Sequence, residues 1–103
     1  MTEEQGQEQK QQDNVVFIGK KPFMNYVTSA MMQFSSDGKN EVIIKARGKN
    51  VNRAVDVAIL VSKKFSKEQK VVIKDVKIDG EQLENKNNKE TTVSTIEITL
   101  VKQ

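Results

Sequence analysis

Residues 15–27 read VVFIGKKPFMNYV: an apolar run, a glycine, two lysines, and a proline ahead of a new periodicity. Val15, Val16, Phe17 and Ile18 form a continuous apolar segment closed by Gly19, the pattern of a strand covered on both faces. Pro22 supplies the fixed φ favoured at the first helical position and lacks an N–H that would be orphaned there. After it Phe23, Val27, Ala30 and Phe34 recur at the spacing of one helical face, with Met24 and Met31 widening the stripe. Ser35, Ser36, Asp37 and Gly38 supply the stop. A helix start leaves its first N–H groups unpaired at the positive end of the macrodipole, so Lys20 and Lys21 stand where an anion is already favoured.

The layout recurs. Residues 41–50, EVIIKARGKN, give a second apolar run through Val42 and Ile44, then a basic exit through Lys45, Arg47, Gly48 and Lys49, with Asn50 as helix N-cap. Val51, Ala54, Val55, Ala58 and Phe65 keep helical spacing, which predicts a helix from Val51 to Phe65, while Arg53, Asp56 and Lys63 project elsewhere. Lys63 and Lys64 suit its negative end. Beyond it the period falls to two. KVVIKDVKID and TTVSTIEITLV are rich in Val, Ile and Thr, and Ile96, Ile98 and Leu100 share one face of the second. In the first, Val71 and Ile73 are out of phase with Val76 and Ile78, so a bulge is expected near Lys74 and Asp75. Asp79-Gly80 and Asn87-Asn88 both offer a hairpin tip; the second is preferred because the first leaves a long unpaired segment. Two long strands then project as an arm.

Composition narrows the chemistry. The 103 residues suffice for one domain with one modest core. With no cysteine and no histidine, thiol catalysis, disulfides, zinc fingers and imidazole acid–base chemistry are excluded. No apolar run approaches the roughly 20 residues of a membrane span and no signal-peptide layout opens the chain, so a cytoplasmic protein with no membrane partner is expected. Residues 1–14 hold four carboxylates against one lysine and almost nothing apolar, which predicts a disordered acidic, glutamine-rich tail ahead of a single domain over residues 15–103. The chain's net charge is +3, so that domain is the basic part.

The order strand, helix, strand, helix, strand, strand has a chemical consequence. If the first two strands are parallel neighbours, both strand-to-helix loops leave the same end of the sheet, and Lys20 and Lys21 share a rim with Arg47 and Lys49. Neither G-x-G-x-x-G nor a Walker pattern is present, so a mononucleotide fits poorly. Spread lysines and arginines with one tyrosine and no tryptophan suit a polyanion backbone better than a base-stacking platform. For an enzyme, the nearest thing to a carboxylate cluster is Asp75, Asp79 and Glu81, which read as ordinary hairpin charges. No cofactor and no metal is expected.

NVVFIGKKPFMNYV, EVIIKARGKNVNRAVDVA and VSTIEITL, in that order, closely resemble the Alba family of archaeal chromatin proteins. The resemblance implies an α+β fold: a two-layer β-α-β-α-β-β sandwich, similar to the C-terminal domain of a bacterial translation initiation factor, with an extended C-terminal β-hairpin arm. It implies a non-enzymatic, nucleoid-associated homodimer that binds double-stranded DNA with little sequence preference; the alternative is an RNA-binding role in RNA maturation or stability. Dimer–dimer association and a heterodimer with a paralogue belong to the same expectation. By resemblance Lys20 and Lys21 contact phosphate, Lys20 matches an acetylated lysine and so implies acetylase and deacetylase partners, and Arg47 contacts DNA. Lys49 stands where an arginine is common, and Asn25 belongs to the same MNY motif as Tyr26, for which packing is expected. Phe65, the last core position of the second helix by spacing, matches an aromatic at the dimer–dimer contact. The resemblance also implies an arm that reaches the minor groove, with Lys86 and Lys89 near its tip. SKKF in place of a more arginine-rich helix end, and Thr92 where a basic residue often stands, depart from the family pattern.

Overall fold

The structure, a computed structural model, describes residues 14–64, 70–84 and 89–103. The expected acidic tail up to residue 13, Phe65, Lys86 and the Asn87-Asn88 tip lie outside the described residues. Strand β1 (Val15–Phe17) leads to helix α1 (Phe23–Ser35), then strand β2 (Glu41–Arg47), a 3-10 turn (Gly48–Asn50), helix α2 (Val51–Lys64), and strands β3 (Val71–Glu84) and β4 (Glu90–Lys102).

The strands form one sheet in the order β1-β2-β4-β3. β1 runs parallel to β2, from Val15 opposite Ile43 to Phe17 opposite Lys45, and the Ile18 N–H donates to the Lys45 carbonyl at 2.9 Å. β4 lies antiparallel between β2 and β3. This register stacks Val42 on Leu100, Ile44 on Ile98 and Ala46 on Ile96, all buried, because period-two alternation puts every second side chain on the helix side. Tyr26, Val27, Ala30 and Phe34 of α1 and Ala54, Val57, Ala58 and Val61 of α2 close over that face. The result is the two-layer α+β arrangement read from the sequence.

Among the described residues only one face of the sheet is covered. Val16 and Ile18 point into the core, but Phe17 is 58% exposed, so β1 is a one-sided edge strand and not a strand buried on both faces. On the open side the Lys45 ammonium lies 5.8 Å from the centre of the Phe17 ring, within cation–π range, and 3.6 Å from the Glu97 carboxylate. Two helical assignments shift for the same reason, that the stripes are narrower than the apolar residues available. Met24 and Val55 are exposed, and Val57 and Val61 supply the buried stripe of α2. Pro22, with φ −57° and ψ 145°, flanks α1 in extended geometry, so the helix opens at Phe23. Asn50 belongs to the 3-10 turn and makes no side-chain cap.

The β3–β4 pairing shifts register between Ile73 and Asp75, where the phase of the apolar residues changes. It then continues past the end of β2, from Gly80 opposite Ser94 to Glu84 opposite Glu90, so Asp79-Gly80 is not the tip and the two strands do form an arm. A Cβ on Gly80 would lie 2.9 Å from Thr92 Cγ2, so a side chain there would force Thr92 to shift.

One polar group in the core lacks a partner. The side-chain Oε1 of Gln33, on the buried face of α1, accepts no hydrogen bond among the described residues. An unpaired buried amide oxygen costs on the order of 1–3 kcal/mol, so Gln33→Met is expected to raise the unfolding free energy by about 1 kcal/mol. A urea unfolding midpoint that stays put or falls would contradict this.

Candidate nucleic-acid interface

Because β1 and β2 are parallel and in register at Phe17 and Lys45, both chains leave the sheet at the same end. The loop of residues 18–22 and the turn Gly48–Asn50 emerge there side by side, each feeding a helix. Lys20 and Lys21 are exposed on the first, and Lys49 on the second, with Arg47 the last residue of β2. Among the described residues the side chains of Lys20, Lys21 and Lys49 have no ion-pair or hydrogen-bond partner. Asn25 is exposed on the first turn of α1, next to the lysine loop.

The backbone between Gly19 and Lys21 is held from two sides. The Tyr26 hydroxyl oxygen accepts from the Gly19 N–H at 2.9 Å and the Lys21 N–H at 2.8 Å. On the other side Arg53, in the first turn of α2, donates from Nη1 to the Gly19 carbonyl at 2.7 Å and from Nη2 to the Lys21 carbonyl at 3.1 Å. Its guanidinium carbon lies 5.8 Å from the centre of the Tyr26 ring. Tyr26 itself is buried, as expected of a packing residue, but its hydroxyl also organises the loop. Two amides just ahead of α1, those of Gly19 and Lys21, are therefore already bound. Arg53 was expected only to project off the apolar stripe of the second helix. No spacing rule connects it to residues 34 and 32 positions earlier; the only available signal was its place just after the second strand-to-helix junction.

Arg47 is engaged. Its Nη2 lies 3.1 Å from Glu81 Oε1, with the two side chains 57% and 46% exposed, so it ties the end of β2 to the base of the arm. Lys89 is not part of this group: it precedes β4 at the far end of the arm, about 20 Å along the strand from the level of Arg47 at a rise of 3.4 Å per residue. The carboxylates weighed for catalysis are occupied locally. Asp75 Oδ1 accepts from the Val76 N–H, Asp79 Oδ1 accepts from the Gly80 N–H, and Glu81 pairs with Arg47. Among the described residues no three of His, Cys, Asp and Glu are grouped to hold a metal ion.

Residues 14–79 match the model of the Alba family. The chain belongs to the Alba family. It is 55% identical over 89 residues to the DNA/RNA-binding protein Alba of Nanoarchaeum equitans, covering 85% of this chain and 97% of the relative. It is 46% identical over 90 residues to the protein of the same name from Methanococcus maripaludis, covering 87% and 99%. Among solved structures, Alba from Thermoplasma volcanium superposes with a TM-score of 0.74 at 42% identity, covering 85% of this chain and 99% of that one. ALBA1 from Trypanosoma brucei, at 24% identity and a TM-score of 0.66, shares the fold. The Alba match ends at Asp79, beside the point where the arm leaves β2.

The turn that carries Lys49 in this Alba-family chain depends on one backbone conformation. Gly48 has φ +61°, and a Cβ there would meet Val93 Cγ1 at an ordinary 3.7 Å, so a side chain is opposed by the left-handed backbone and not by a clash. Gly48→Ala is expected to cost about 1–2 kcal/mol, and Gly48→Asn less because asparagine tolerates that region. Thermal unfolding of the two variants checks the ranking, and equal stability of all three proteins would overturn it.

Proposed function

We propose that this chain is a non-enzymatic nucleic-acid-binding protein that coats double-stranded DNA as a homodimer, with little sequence preference, in an architectural role on the nucleoid. The observation that supports this most directly is the rim: Lys20, Lys21 and Lys49 are exposed at one end of the sheet, beside Arg47, and have no partner among the described residues. Its relatives are named DNA/RNA-binding proteins, and phosphate is the feature those ligands have in common. Cationic side chains at fixed spacing recognise that backbone by charge, which gives affinity without reading bases. Asn25 adds a hydrogen-bonding group at the same edge. Lys20, exposed on the loop, is the site where acetylation would remove a charge from the contact, and an acetylase and deacetylase would be its partners.

The dimer reading has its own support. Val55 and Ile59 on α2 and Ile73, Val76 and Ile78 on the helix side of β3 are exposed, Ile78 to 78%, and form an apolar ledge along the free edge of the sheet. A second copy presenting the same ledge would cover it around a twofold axis. Two arms would then extend from the paired bodies toward the minor groove. Among the described residues the arm carries Glu81, Glu84 and Glu90, with Lys89 near its tip, so it follows the groove by shape and adds less affinity than the loops. No helix among the described residues is long and apolar enough to cross a membrane, and the nucleoid in the cytoplasm is the proposed location.

The same phosphate contacts suit RNA, which is the second reading; competition between duplex DNA and structured RNA at one salt concentration separates them. The primary test is the salt dependence of duplex binding. Log affinity should fall linearly with log salt, by about 0.9 per phosphate neutralised, and Lys20→Ala/Lys21→Ala should weaken binding roughly tenfold or more on every sequence while flattening the slope. A salt-insensitive interaction, or an undiminished double variant, contradicts the proposal. For the dimer, Ile59→Asp/Ile78→Asp should shift the solution mass to a monomer; a mass unchanged by that pair would place the contact elsewhere.

A further inference from the structure

We infer that Arg53 and Tyr26 act together as a positioning clasp for the phosphate-binding loop, fixing the two peptides that flank Lys20. This rests on the reading that Lys20 and Lys21 contact phosphate. The clasp is complete at both ends of the loop backbone. Tyr26 oxygen has two acceptor lone pairs, and the Gly19 and Lys21 N–H groups fill both. The Arg53 fork has two terminal nitrogens, and the Gly19 and Lys21 carbonyls take one donor from each. Residues 19 and 21 thus have N–H and C=O both secured, and Lys20 is the residue between them.

Each part of the clasp comes from a rigid element. Tyr26 is buried on α1, and Arg53 stands on the first turn of α2 beside the buried Ala54. The two groups also meet each other, with the guanidinium over the phenol ring. Gly19 admits the arrangement, since a Cβ would lie 3.4 Å from the Tyr26 oxygen, tighter than most contacts of that kind. A surface loop held this way has less freedom to lose when its lysines meet phosphates, which raises affinity without adding a contact. Arg53 itself therefore serves through hydrogen bonds within the protein, although its charge and its place at the rim resemble those of a phosphate ligand.

That difference gives the test. Arg53→Lys keeps the charge but replaces the rigid two-nitrogen fork with a single ammonium; Arg53→Gln loses the charge as well. A positioning residue makes the two variants equally weak on duplex DNA, roughly three- to tenfold below the parent for the loss of about one or two hydrogen bonds. It also makes neither variant additive with Lys20→Ala/Lys21→Ala. A direct phosphate ligand instead leaves Arg53→Lys near the parent and makes Arg53→Gln additive, and that outcome overturns the inference. Tyr26→Phe, which removes the acceptor and little else, should accelerate hydrogen exchange at the Gly19 and Lys21 amides and weaken binding by a similar factor, with the unfolding midpoint close to that of the parent. Faster exchange with full affinity overturns the positioning role while leaving the lysine contacts in place. An undiminished lysine double variant overturns the phosphate reading and the clasp's function with it.

Discussion

Parallel strands cannot be joined by a tight turn, so the pairing of β1 with β2 obliges α1 to cross over the sheet and return the chain to the same starting edge. Everything at the basic end follows from that constraint. Two junctions separated by nearly thirty residues leave the sheet at one level, and the helices they open stand side by side over a single face. Were the pairing antiparallel, the lysine loop and the turn at Gly48 would sit at opposite ends of a sheet β2 spans with seven residues. The register is secured from the inside, because slipping β1 by one residue would turn Val16 and Ile18 out of the core and Phe17 into it.

Within that frame the loop's backbone and its side chains have separate tasks. Backbone donors and acceptors at Gly19 and Lys21 are satisfied by Tyr26 and Arg53, so the main chain of those two residues is fully paired. The lysine ammonium groups remain outside, exposed to solvent, where long stems let them adapt to a phosphate. A rigid base with flexible charged ends suits a ligand whose phosphates recur at regular spacing but whose sequence varies, because the base sets the register and the ends absorb local differences.

The parts of this fold that were legible in the sequence are those where punctuation and period agree. Gly19 and Pro22, then Gly48, mark the two junctions; the switch of phase between Ile73 and Val76 marks the bulge; and the alternation of Ile96, Ile98 and Leu100 marks the inner face of β4. Lys20, Lys21 and Lys49 were legible as a group because topology follows from the repeat. Burial on one side or two was not legible from Val15 to Ile18, since an edge strand tolerates an exposed Phe17 where a cation can sit over the ring. Met24 and Val55 were misplaced because a helix on one face of a sheet buries a narrower stripe than its apolar residues allow. Arg53 escaped because its partners are backbone carbonyls, which carry no residue identity for a pattern to find.

Arg47 shows how the arm joins this arrangement. Its ion pair with Glu81 is between two half-exposed side chains, a class worth only about 0–1 kcal/mol, so the bond is easily exchanged for another anion. On the proposed reading a phosphate reaching the rim competes with Glu81 for the same guanidinium, whereas Lys20, Lys21 and Lys49 have no such competitor among the described residues. The lysines then set the initial attraction, and Arg47 follows by exchange at the cost of a weak internal contact. Because Glu81 belongs to β3 at the base of the arm, that exchange also releases one of the ties holding the arm to β2.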